Sequence, residues 1–210
     1  FTGNVLHGDN VKSTFGAGND LEIFHDGTHS RIKDVGTGHL VLSGGEVHFN
    51  NSDNTSNHLV INSAGIVTKP LQPAFQATAT SNQLNIPVNS QTLVVFAGET
   101  FDIGSNFASN TFTAPVTGKY RLTVNVRLDN LDSSASYYQI WIKTSNRDYI
   151  KIMGVGGFDS DVTLWSMSMS ILADMDASDT VFINIQQSSG TSQTDIDGDG
   201  KYTNFSGYLV

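Results

Sequence analysis

Cysteine is absent from this sequence of 210 residues, which excludes a disulfide scaffold and thiolate chemistry and leaves the redox compartment open. Proline occurs only four times. Cations are few as well: 11 Lys and Arg face 20 Asp and Glu, for a formal charge of -9. A chain with that deficit cannot neutralise a phosphate backbone, so nucleic acid is excluded as a partner. Apolar runs are only a few residues long, far short of the roughly 20 residues that a membrane-crossing helix requires. Glutamate is confined to Glu22, Glu46 and Glu99, and no histidine follows His58. No Gly-x-Ser-x-Gly elbow, His-Glu-x-x-His pair or phosphate loop is present, and no enzyme activity is expected. No secretory leader is visible either. Because the chain opens on Phe1 and not on Met, it is expected to be a piece of a longer protein.

What the sequence does hold is a succession of short alternating runs bounded by Gly, Asn, Asp and Ser, in a chain that is 38% hydrophobic and only 15% charged. That pattern predicts an all-β protein. All six histidines and 10 of the 20 glycines precede Lys69-Pro70. The composition therefore changes at that dipeptide, which predicts two domains, 1–70 and 71–210. In the first, Leu21, Leu40 and Leu59 recur every 19 residues, each followed two positions later by Ile23, Leu42 or Ile61. That spacing places both apolar residues of a copy on one face of a strand. A unit with so few apolar residues cannot bury its own face, so the three copies are expected to form β units stacked around a threefold axis with the leucines inward.

The words around these repeats, Phe15-Gly16-Ala17-Gly18-Asn19-Asp20-Leu21-Glu22-Ile23-Phe24-His25-Asp26-Gly27 and Ile32-Lys33-Asp34-Val35-Gly36-Thr37-Gly38-His39-Leu40, resemble a repeat of tail-fibre and other structural proteins of marine bacteriophages. The resemblance implies a fibrous virion protein. In the second region, Phe112-Thr113-Ala114-Pro115-Val116-Thr117-Gly118-Lys119-Tyr120-Arg121-Leu122 and Phe205-Ser206-Gly207-Tyr208-Leu209-Val210 resemble the globular head of the complement C1q family. Pro73-Ala74-Phe75-Gln76-Ala77 is similar to that family's opening strand, and Asn106-Phe107 to its polar-aromatic pair. The resemblance implies a two-sheet jelly roll related to tumour necrosis factor, assembled as a homotrimer. A repetitive β stalk ending in a globular head follows from the two resemblances together.

Strand order in such a head puts loops 129–136, 154–162 and 188–201 at the end away from the stalk. They carry Asp129, Asp132, Asp159, Asp161, Asp195, Asp197 and Asp199, with Lys201 as their only cation. Crowded like charge invites a counter-cation, and Asp195-Ile196-Asp197-Gly198-Asp199-Gly200 has the alternating oxygens and glycine turn of a calcium loop, without the closing Glu of an EF-hand. Calcium on Asp195, Asp197 and Asp199 is the expectation, beside the plainer reading of a solvated hairpin. Asp129, Asp132, Phe158, Asp159 and Asp161 are the candidate receptor contacts. Trp141 and Trp165 fall inside strands and are expected in packing roles. His25 and His29 are four apart in a strand-turn segment, where that spacing does not make a zinc site.

The expected function is that of a trimeric phage tail fibre, an extracellular part of the virion, whose head attaches it to a bacterial glycan or outer-membrane protein. Other tail proteins are expected neighbours. The alternatives are a structural virion decoration and a glycan-cleaving spike using a pair such as Asp159 and Asp161.

Overall fold

A computed structural model describes residues 3–210 as strands, turns and loops, with no helix among them. The chain divides into two units that meet between Lys69 and Pro70. The first contains two antiparallel meanders of three strands each. In one, β1 (Ser13–Phe15), β2 (Leu21–His25) and β3 (Ser30–Asp34) lie in the order β1-β2-β3; in the other, β4 (Val47–Asn50), β5 (Asn57–Ile61) and β6 (Val67–Thr68) repeat the arrangement. The turns are made locally. Gly16 and Asn19 take the left-handed conformation between β1 and β2. Between β2 and β3, Asp26 accepts the amides of His29 and Thr28 and pairs with Arg31. The His29 amide and the Arg31 guanidinium lower its carboxyl to about 2.

The strands place two of the three expected copies alike and leave the third out. Leu21 and Leu59, two spacings of 19 apart, occupy matching positions in the middle strands, whereas His39-Leu40-Val41-Leu42 forms no strand and Leu40 is 46% exposed. Glycines at 36, 38, 44 and 45 bound the tetrad, and no neighbouring strand offers it a ladder. Alternation alone does not make a strand when the backbone groups have no partner. His25 meets Ser30 and His29 lies beside Asp26, so the two histidines serve separate contacts.

The second unit is a sandwich of two sheets in a jelly-roll arrangement. Its strands are β7 (Ala74–Thr78), β8 (Thr92–Leu93), β9 (Gly98–Ile103), β10 (Phe107–Ala108), β11 (Thr111–Thr113), β12 (Gly118–Leu131), β13 (Tyr137–Thr144), β14 (Asp148–Gly154), β15 (Val162–Met175), β16 (Thr180–Ser188), β17 (Asp195–Ile196) and β18 (Asn204–Leu209). One sheet runs β10-β11-β16-β13-β14 with β8 beside β16, the other β15-β12-β18-β7-β9 with β17 beside β12. Alternation fixes the inner face: Tyr120, Leu122, Val124, Val126 and Leu128 of β12 meet Ile140, Ile142, Val181, Ile183 and Ile185 from the opposite sheet in one core. Phe75 is its aromatic centre, stacked on Phe112 at 4.5 Å and Phe107 at 5.2 Å, with Phe205 edge-on at 5.0 Å.

The chain enters and leaves this sandwich at one end, where the Leu209 amide donates to the Pro73 carbonyl. Antiparallel pairing then carries β12 and β16 away from that end and brings β13, β15 and β18 back from the opposite one. Loops 132–136, 155–161 and 189–194 therefore lie together at the far end.

Candidate functional site

The three far-end loops are tied into one rim by side chains that face inward. Asp132, 1% exposed, accepts the Ser134 amide at 2.8 Å and hydroxyl at 2.6 Å, the Thr191 amide at 2.6 Å and the Ser192 amide at 2.7 Å. Burial pushes its carboxyl up, but the hydrogen bonds from Ser134, Ser192 and Thr191 outweigh burial and hold it below the usual carboxylate range. Tyr138 stands beneath, its hydroxyl accepting the Asp132 amide at 2.9 Å and lying 2.6 Å from the Thr194 hydroxyl; burial pushes this phenol up. Gln187, also sealed from solvent, donates to the Ser192 and Ser189 carbonyls and accepts the Thr194 amide. Gly190 takes a φ of 111°, and a Cβ there would overlap the Asp132 carboxylate. Asp161 fastens the third loop by accepting the Ser133 amide and hydroxyl, each at 2.8 Å.

This geometry redistributes the expected receptor contacts. Asp129 lies within β12 and not in a loop, because β12 continues to Leu131; it pairs with Arg127 at 3.1 Å. Asp132 is the internal anchor of the rim and cannot touch a partner. Phe158 is half-buried, with its ring edge-on to Trp165 at 5.2 Å and packed against the core. Asp161 is exposed but engaged by Ser133, and Asp159 is exposed. Trp141 is buried, whereas Trp165 is 38% exposed under Phe158.

The three carboxylates assigned to calcium are not brought together. Asp195 sits in β17 and accepts the Asn85 amide and the Asn130 side-chain amide, at 2.6 and 3.0 Å. Asp197 is buried and pairs with Arg127, while its other oxygen accepts the Asp199 amide at 2.8 Å. Asp199 accepts the Lys201 amide at 2.9 Å. Among the described residues, no group of three His, Cys, Asp or Glu side chains is arranged to hold a metal ion. The counter-cation that the acidic loops call for is Arg127, which reaches up from β12. It bridges Asp129 and Asp197 and lies over the Tyr202 ring at 4.1 Å. Burial works against its charge, and the hydrogen bond and field of Asp129, with the field of Asp197, prevail and keep it protonated. Gly198 is a packing residue: its amide donates to the Asn82 side chain at 2.7 Å, and a Cβ would overlap the backbone of Ser81 and Asn82.

Sequence reasoning passed over Ser133, Ser134, Gln187, Thr191, Ser192 and Arg127. A signal existed in the serine-rich stretches Ser133-Ser134-Ala135-Ser136 and Ser188-Ser189-Gly190-Thr191-Ser192, whose hydroxyls and amides suit carboxylate anchors. On the rim, Asn130, Asp161, Val162, Thr163 and Ser192 line an open polar cleft of about 190 Å³. Its lining offers the amide of Asn130, the carboxylate of Asp161 and the hydroxyls of Thr163 and Ser192 as hydrogen-bonding groups.

Among solved structures, the globular domain of zebrafish complement 1qA protein is similar to this chain at 16% identity, covering 66% of this chain and 97% of that one with a TM-score of 0.48. Murine APRIL is similar at 10% identity, covering 66% and 99% with a TM-score of 0.48. No curated protein matches. The C1q domain matches residues 74–210, from the first residue of β7 to the end of the chain, and the chain belongs to the C1q domain family.

Proposed function

We propose that this chain is the distal part of a trimeric bacteriophage tail fibre, and that the far rim of its C1q-type head attaches the virion to a bacterial surface receptor. C1q domains form homotrimers as a family. The phage assignment is supported by the resemblance of residues 15–40 to fibre repeats. The observation that carries the binding role is the rim itself: buried Asp132 and Gln187 fix two of its loops and Asp161 ties the third to Ser133, which presents the cleft beside Asp161 and the exposed Asp159 on a rigid base. Preorganised loops lose little entropy on binding. Three copies on one head raise avidity without new contacts, so each can be weak.

The mechanism is adhesion without chemistry. Hydroxyl-rich receptor groups would bond to Asn130, Thr163 and Ser192, and Phe158 would contribute apolar contact at its open edge. The test is attachment of the purified chain to host cells together with blocking of infection. Wild-type chain should do both, and an Asp159→Asn, Thr163→Ala double variant that still trimerises should do neither. A variant that adsorbs normally would place the receptor site elsewhere.

A further inference from the structure

The pairing registers of the two meanders match at their apolar residues, ahead of a register shift between Phe49 and Asn50 in the second. Phe15 faces Leu21 as Phe49 faces Leu59; Ile23 faces Ile32 as Ile61 faces Val67. Each set shares one side of its sheet, because paired residues point the same way and residues two apart return to the same face. Lys33 and His48 fall on the opposite faces. Among the described residues these apolar sides are covered only in part: Val5 and Leu6 line an open cleft with Ile23 and Ile32, and Leu40 and Val41 line one with Phe15 and Leu21. Phe15, Ile32, Phe49 and Val67 are still each more than half exposed, and Leu6 is itself 88% exposed. No described residue before Pro73 is buried.

We propose that each meander's apolar face is closed by the same face of two further copies of this chain, so that the core of residues 13–68 exists only between chains. Three observations select a second copy over a different protein. The two faces have the same chemistry, so one kind of occupant serves both. A unit with no buried residue needs its cover whenever it folds, and another copy is the partner present in fixed proportion. A homotrimeric head joined at Lys69-Pro70 would hold three such units at high effective concentration. The inference rests on the trimeric reading of the head given above.

The absence of cysteine makes the test clean. Single variants Ile32→Cys and Val67→Cys on the apolar faces, and Lys33→Cys and His48→Cys on the opposite ones, are made in the full chain and treated with a short bismaleimide, with mass followed by light scattering. All four positions are exposed, so each variant should keep the head intact. The expected result is a particle of three 22.6 kDa chains in every case, with interchain cross-links from Ile32→Cys and Val67→Cys and none from Lys33→Cys or His48→Cys. A trimer that cross-links equally from both faces, or not at all from the apolar ones, overturns the shared core and leaves the trimeric head standing. A monomer overturns both.

Discussion

From Pro73 onward, the central strands β7, β12, β16 and β18 seal alternate residues from water; between Gly3 and Gln72 no residue is sealed at all. Both regions are built from antiparallel strands with turns of Gly, Asn and Asp, so the type of secondary structure does not separate them, although β12 and β15 of the second reach 14 residues. What separates them is closure. The head supplies two sheets that cover each other, and each sheet of the first unit supplies one face and no cover. Local pattern thus specifies strands equally well in a region that can stand alone and in one that cannot. The apolar residues per strand decide little until the number of layers is known.

The sharpest way to break this comparison is to separate the regions. Residues 70–210 alone should unfold in one cooperative transition, and residues 1–69 alone should show none in calorimetry, because they hold no described buried residue to lose. A cooperative melt of the short fragment would overturn the contrast. Next in size is Phe75→Ala, which empties the space between Phe107, Phe112 and Phe205. It should cost the head about 3–5 kcal/mol, read from the denaturant midpoint.

Replacing Asp132 by Asn should cost roughly 1–3 kcal/mol, because an amide cannot accept the same set of donors from Ser134, Thr191 and Ser192. It should also raise hydrogen exchange in loops 132–136 and 189–194. The pH dependence has a definite sign. A carboxyl lowered in the folded state stabilises above its unfolded pKa of about 3.9, and that contribution is lost as pH falls through the lower folded value. The wild type should therefore lose more stability than the variant on acidification below about pH 4, measured by melting temperature across that range. The smallest effect is expected for Lys119→Ala. The Lys119–Asp174 pair spans 2.6 Å, but both side chains are largely exposed, so the change in stability should stay within about 0–1 kcal/mol.

The long head strands were legible because Tyr120 to Leu128 alternates without interruption and Val181, Ile183 and Ile185 recur every second residue, and one buried face with one wet face imposes that period. The end of β12 was not. Asn130 takes a left-handed φ of 56°, which shifts the parity so that Leu131 and not Asn130 turns inward; a strict period of two stops at Leu128 and leaves Asp129 in a loop. The tetrad at 39–42 misled in the other direction, since its alternation is sound and its partner is missing. At the rim, an aspartate meant to face a ligand and one meant to anchor a loop read alike in sequence. Asp132 and Asp159 were separated only by knowing that loops distant along the chain converge over Tyr138. The run Asp195 to Gly200 resembled a calcium loop because glycine serves sharp turns and close packing equally, and here Ser81 and Asn82 claim Gly198.

The position of β7 has a mechanical consequence. This strand receives the chain from the first unit and lies inside its sheet, between β18 and β9. Tension along the connecting segment and in line with β7 would pull on both flanking ladders at once, from Ala74 opposite Tyr208 and Ile103 to Thr78 opposite Asn204 and Gly98. The hydrogen bonds would be sheared in parallel and not unzipped one after another. An edge strand in the same place would peel under a smaller force. A domain joined to the preceding segment through an interior strand therefore withstands such a pull better than one joined through an edge strand.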